Sequence, residues 1–79
     1  MMDKKIKVYS TPTCVYCVTL KEFFKEKGIE FEEVDVSLNE EAAREMIMKT
    51  GQMGVPVVEI GEEVIVGFDR DKIIQALGL

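Results

Sequence analysis

The hydrophobic pattern changes its period at Cys14, and this change constrains the fold more than any other feature of the chain. Upstream, the apolar run Ile6, Val8 and Tyr9 stops at Ser10–Thr13, as a strand does at a turn. Downstream, the spacing i, i+3, i+4, i+7 predicts a helix of roughly three to four turns. Its face consists of Cys17, Leu20, Phe23, Phe24 and Lys27, with Gly28 as the stop. A strand therefore leads directly into a helix here.

A second strand and a second helix are predicted between Gly28 and Gly51. Ile29–Val36 alternates strand-forming residues with carboxylates, which favours a strand with one exposed side at a sheet edge. Ser37 or Asn39 could cap the following helix, which ends at Gly51. Its predicted apolar face is Ala43, Met46, Ile47 and Thr50. Core packing is expected for Met46 and Met48, as for Phe23 and Phe24.

The last third of the chain predicts a hairpin and a helix. Pro56–Ile60 and Val64–Val66 flank a short turn at Gly61-Glu62. Asp69 can cap a final helix that ends at Gly78 and whose apolar positions are Ile73, Ile74 and Leu77. The order β-α-β-α-β-β-α makes the first two strands parallel and the last two antiparallel. The sequence thus predicts an α/β fold with a four-stranded mixed sheet flanked by three helices.

Length and composition narrow the class of protein. A chain of 79 residues makes one domain, spanning 1–79, and 47% hydrophobic with 32% charged residues supports a packed core. Fifteen acidic against 10 basic residues argue against a nucleic-acid partner. No apolar run approaches the ~20 residues of a membrane span, and no apolar stretch follows the basic start of the chain. A cytoplasmic protein is expected.

Cys14 and Cys17 carry the predicted chemistry. Three residues of separation on a helix bring both sulfurs to one side, close enough for a disulfide. Unpaired N–H groups in the first turn stabilise a thiolate at Cys14, whereas Cys17, one turn in, gains less. Such placement can lower a cysteine pKa from ~8.5 to roughly 3.5–7.5. Cys14 is therefore the expected nucleophile and Cys17 the resolving thiol, with no metal and no histidine base, since the chain contains no histidine.

Other roles for this cysteine pair remain open at the level of sequence. A structural disulfide between positions so close in sequence removes little unfolded-chain entropy. Two inert core cysteines would also fit the pattern. A zinc or iron–sulfur site needs further ligands, and the chain offers no other Cys and no His. An iron–sulfur carrier would therefore need a cluster bridged by Cys14 of two chains and by external thiols.

Three motifs together resemble the glutaredoxin family of the thioredoxin fold: Tyr9–Cys17, Val55-Pro56 and Gly67-Phe68-Asp69. The resemblance spans nearly the whole chain, and it implies a dithiol thiol–disulfide oxidoreductase active in electron transport and cell redox homeostasis. It further implies a cis Val55-Pro56 bond beside the cysteines, with the backbone of Val55 pairing with substrate. No organic cofactor is implied, apart from glutathione as a candidate co-substrate.

The family also implies candidate contacts to substrate or glutathione, several of them altered here. Lys49 and Gln52 are candidates for binding the glycine carboxylate of glutathione. Asp69 and the Phe68 N–H, which follow Gly67, are candidates for binding its γ-glutamyl group. Tyr16 could frame the substrate groove. Thr11 replaces a usual basic residue and Val66 a usual glycine. Asp69 as a plain helix cap is an equal alternative.

The same segments resemble the NrdH-redoxins, glutaredoxin-like proteins that thioredoxin reductase reduces and that donate electrons to ribonucleotide reductase. Cys-Val-x-Cys, Pro56-Val57-Val58 and Gly67-Phe68 favour this subfamily, whereas Asp69-Arg70 departs from its usual Arg-Pro. The implied partners are a protein with a disulfide, as the substrate, and either glutathione or thioredoxin reductase, as the electron source. The protein is expected to be a monomer. Sequence leaves the choice between the two reductants open.

Overall fold

The computed structural model describes residues 5–52 and 54–78, so the start of the chain before Lys5 lies outside the described residues. The elements follow the predicted order. They are β1 (Ile6–Ser10), α1 (Val15–Glu26), β2 (Glu32–Asp35), α2 (Glu40–Thr50), β3 (Val57–Ile60), β4 (Glu63–Val66) and α3 (Arg70–Leu77).

The four strands form one mixed sheet in the order β2-β1-β3-β4. β1 pairs with β2 in parallel and β3 pairs with β4 in antiparallel, as predicted, and β3 also pairs with β1 in antiparallel. Tyr9 at the centre lies opposite Val34 of β2 and Val57 of β3. The carboxylate-rich β2 is an edge strand, as expected, although it is half as long as the predicted segment.

Helices α1 and α3 cover one face of the sheet with the larger core cluster. Phe24 of α1 and Ile73 of α3 are fully buried there against β1, β3 and β4. Half-buried rings extend the cluster, because Phe31 lies 5.3 Å from Phe24 and Phe68 lies 5.8 Å from Phe23 between ring centroids. The aromatic contacts thereby join the loop before α3 to α1.

Helix α2 covers the opposite face of the sheet, and of its predicted apolar face only Met46 is fully buried. Its buried residues are Ala42 and Met46, which pack with Tyr9 and Val57. The predicted face members Ala43, Ile47 and Thr50 are only half-buried, so the line facing the sheet runs through i and i+4 from Ala42. The expectation that Met48 packs in the core is wrong. It is 85% exposed, since two residues beyond Met46 is about 200° around the helix.

Side chains cap the helices where sequence placed them. Asn39 rather than Ser37 is the N-cap of α2, and its Oδ1 accepts the Ala42 N–H at 3.1 Å. Ser37 instead donates its N–H to Asp35. Gly51 ends α2 in the left-handed region at φ 75°, where glycine carries no Cβ penalty. Within the described part of the chain, no helix has the length and apolar character needed to cross a membrane.

Candidate active site

Cys14 is the N-cap of α1 and lies at the end of the turn that connects β1 to this helix. Its N–H donates to the Thr11 carbonyl at 3.3 Å, which closes the turn after β1. Its backbone is extended, at φ −86° and ψ 112°, and its Sγ accepts the Cys17 N–H at 3.1 Å. The sulfur therefore takes the place of a capping oxygen at the positive end of the helix dipole.

Cys17 is fully buried and strongly favours its neutral form. Burial, and then the hydrogen bond and charge of Cys14, raise the pKa of the Cys17 thiol to about 11. A backbone hydrogen bond from Thr11 and the charge of Lys21 act in the opposite direction. Both cysteines are free thiols, and Cys14 is the more accessible of the two. The pair is thus asymmetric in exposure.

The Val55-Pro56 peptide bond is cis, which confirms the expectation from the family resemblance. Pro56 is buried, and its carbonyl accepts the Gly67 N–H at 2.7 Å. Gly67 adopts φ 80° to make this contact. Because Val57 pairs with Tyr9 near the end of β1, the cis peptide lies at the same end of the sheet as the turn that precedes Cys14.

Three exposed side chains on the first turns of α1, after Cys14, are largely apolar. Val15 is 75% exposed, Tyr16 68% and Val18 46%. The segment Thr11–Leu20 contains no charged residue. The structure thus places Tyr16 at the surface beside the accessible cysteine, where a partner could contact it.

Lys49, a predicted glutathione contact, is engaged elsewhere. Its Nζ lies 2.7 Å from Oε2 of Glu59 on β3, and this hydrogen bond raises the pKa of Lys49. The buried Tyr9 hydroxyl donates to the same Glu59 oxygen at 3.4 Å. Gln52 is exposed just beyond α2, with its backbone bonded to Thr50 Oγ1. The structure thus gives Lys49 an anionic partner on the sheet.

Asp69 serves as a helix cap, the alternative that the sequence left open. Its Oδ1 accepts the Lys72 N–H at 3.2 Å at the start of α3. The ring of the preceding Phe68 packs edge-on against Phe23. A glutathione contact by Asp69, or by the Phe68 N–H, stays a prediction.

Sequence analysis missed a polar cavity of about 200 Å³ beside the turn before α1. Its lining residues are Ser10, Thr11, Pro12, Lys21, Glu33 and Asp35. Lys21 Nζ lies 2.5 Å from Glu33 Oε2 across the cavity. The sequence feature that could have pointed to this site is the spacing of four residues between Cys17 and Lys21, which places the two side chains on the same helix face. Among the residues that the structure describes, no cluster of three or more His, Cys, Asp or Glu side chains could hold a metal ion.

Comparisons with known proteins agree with this geometry. The family model for glutaredoxin matches residues 6–65. A glutaredoxin-like 8.6 kDa protein in the rubredoxin operon of Clostridium pasteurianum is 44% identical over 73 residues, covering 89% of this chain and 97% of that protein. The crystal structure of a thioredoxin-like protein, 37% identical, superposes with a TM-score of 0.86 over 92% of this chain and all of that one. NrdH-redoxin from Escherichia coli, 31% identical, superposes with a TM-score of 0.80 over 90% and 92% of the two chains.

A thioredoxin-type sheet with a cysteine pair at the start of α1 defines the class, a thiol–disulfide oxidoreductase. Within that class, the chain belongs to the glutaredoxin family.

Proposed function

We propose that this protein reduces disulfides with Cys14 as the nucleophile and Cys17 as the resolving thiol. The observation that carries the proposal is the 3.1 Å hydrogen bond from the Cys17 N–H to Cys14 Sγ at the N-terminus of α1. That sulfur therefore lies at the positive end of the helix dipole and accepts an amide hydrogen there. Cys17, buried beneath it, is poised for the second step.

The reaction proceeds by two thiol–disulfide exchanges. The Cys14 thiolate attacks one sulfur of the substrate disulfide, forming a mixed disulfide and releasing the other sulfur, which takes up a proton. Cys17 then loses its proton and attacks Cys14 Sγ, and the remaining substrate sulfur leaves as a thiol. The substrate gains two electrons, and Cys14 and Cys17 end as a disulfide. An external thiol or a reductase returns the pair to its dithiol form.

Protein disulfides are the favoured substrates, ahead of mixed disulfides with glutathione. The exposed surface of Val15, Tyr16 and Val18 suits an apolar partner. Glutathione carries two carboxylates, and a carboxylate at Lys49 would compete with Glu59 for its ammonium. Thr11 adds no cation near Cys14. Both features favour a protein surface over a charged tripeptide.

Further residues of the proposed site hold the substrate. The backbone of Val55, before the cis proline, pairs with the substrate chain, and Pro56 and Gly67 border it. Tyr16 contacts the partner from α1. The protein acts as a cytoplasmic monomer without an organic cofactor and passes electrons to a reductase-type partner. Its own electrons come from glutathione or from thioredoxin reductase.

The test is a coupled assay on one protein disulfide substrate, run once with glutathione and glutathione reductase and once with thioredoxin reductase. Turnover with only one source assigns the reductant. Cys14→Ser should abolish turnover, whereas Cys17→Ser should still form a mixed disulfide and then stall. Absence of turnover with both reductants contradicts the proposal. Anaerobic purification of a brown dimer would instead support the iron–sulfur carrier.

A further inference from the structure

The resolving step requires a thiolate from a buried sulfur, and this inference rests on the proposed function. Cys17 has no exposed surface, and its pKa lies at about 11. At neutral pH the thiol therefore holds its proton in the resting dithiol. Something in the fold must ease its ionisation once the mixed disulfide exists.

Formation of the mixed disulfide removes one obstacle. In the dithiol, the hydrogen bond and charge of Cys14 both raise the pKa of Cys17. In the mixed disulfide, Cys14 Sγ is bonded to the substrate sulfur and carries no charge. Burial is then the remaining factor that opposes ionisation of the Cys17 thiol. A backbone hydrogen bond from Thr11 and the charge of Lys21 still favour its ionisation.

Lys21 is placed to act on Cys17. The two residues are four apart on α1, a spacing that brings Cβ atoms within about 5–6 Å on one helix face. The Lys21 side chain is only 25% exposed, and Glu33 of β2 fixes its ammonium at 2.5 Å. The same cavity is lined by Thr11 and by Asp35, so the ammonium lies beside the turn that carries Cys14.

We propose that Lys21 is a positioning residue for the resolving step: its ammonium, anchored by Glu33, stabilises the Cys17 thiolate as that thiolate attacks Cys14 Sγ. The Cys17 proton passes to solvent, the Cys14–Cys17 bond forms, and the bond from Cys14 to the substrate sulfur breaks. The substrate sulfur leaves with the electron pair and is protonated as a thiol. The charged groups around this event are Lys21 on α1 and the carboxylates of Glu33 and Asp35 on β2.

The two steps separate in a reaction with one equivalent of 4,4′-dithiodipyridine, an uncharged disulfide that no cation steers. Attack by Cys14 releases a first thiopyridone, and attack by Cys17 releases a second, each visible by absorbance in stopped flow. Lys21→Met should leave the first phase unchanged and slow the second roughly two- to fivefold at neutral pH. That is the rate equivalent of ~0.4–1 kcal/mol for a partly exposed charge. The second phase should also need a higher pH to reach half its maximum.

Matched variants keep the outcome decisive. Lys21→Arg retains the charge and should restore the second phase, whereas Lys25→Met removes an exposed cation one turn further along α1 and should change neither phase. An unchanged second phase in Lys21→Met overturns the inference. Equal slowing of both phases, or no rescue by arginine, also overturns it, because either result indicates a structural role. Absence of the first phase in the unmodified protein would contradict the proposed function itself.

Discussion

The backbone N–H of Cys17 donates a 3.1 Å hydrogen bond to Sγ of Cys14, so that one cysteine caps the helix through the amide of the other. The sulfur proposed as the nucleophile therefore also forms the N-terminal cap of α1. A substitution at Cys14 changes both helix stability and chemistry, and the two effects can be separated by the choice of side chain.

Cys14→Ser should keep the fold and lose the activity. A serine hydroxyl is a good N-cap acceptor, so the free energy of unfolding in urea should equal or exceed that of the unmodified protein. Cys14→Ala removes the acceptor and should be less stable than Cys14→Ser by ~0.5–2 kcal/mol. Both variants should fail to reduce disulfides. Equal stability of the serine and alanine variants would contradict the capping role.

Stability should fall at alkaline pH because of Cys17. The folded chain raises the pKa of this thiol from 9.0 to about 11, so folded molecules keep a proton that unfolded molecules lose. The contribution is complete below pH 9 and is lost as pH rises from 9 to 11, on the order of 1 to 2 kcal/mol. Urea unfolding across this range measures it. Cys17→Ala is the control and should lose less stability over the same range; parallel losses in both proteins would rule out this origin.

The ion pair between Lys49 and Glu59 should contribute to the stability of the fold and not to the binding of glutathione. Lys49→Met and Glu59→Gln, combined in a double-mutant cycle, should show a coupling of about 0.5 kcal/mol, since both side chains are partly exposed. Because Glu59 raises the pKa of Lys49, the coupling is present at neutral pH and disappears as pH rises past 10.5. Turnover with glutathione should change little in Lys49→Met. A severalfold loss of that turnover with no coupling would assign Lys49 to glutathione instead.

Gly67→Ala should disturb the site as well as the fold. Its φ of 80° is unfavourable for alanine, although an added Cβ would meet no atom within 4 Å, so the cost is backbone strain of ~1–2 kcal/mol. Gly51→Ala is a matched control, with φ 75° and equally open space at the end of α2. Both variants should lose similar stability, but only Gly67→Ala should lower turnover, because the Gly67 N–H holds the Pro56 carbonyl. Equal activity of the two variants would contradict a role for Gly67 in the site.

Local pattern was sufficient for the elements and for the cysteine pair. The change of period at Cys14 predicted α1, and Asn39 and Asp69 were recognisable as caps, because caps and amphipathic faces depend on residues within a few positions. The phase of α2 was less secure. Apolar residues also flank the predicted apolar face of this helix, so the sequence did not distinguish Ala42 from Ala43. The structure buries Ala42 and leaves Ala43 half-buried.

By itself, the sequence determined the order of the elements and the placement of Cys14 at a helix start, since both follow from neighbouring residues. Tertiary structure alone decided that Glu59 meets Lys49 and that Glu33 meets Lys21. Each of those contacts joins residues ten or twelve positions apart through the packing of a helix on the sheet. Helix periodicity cannot predict these contacts, because the partner of a surface charge depends on how separate elements pack against each other.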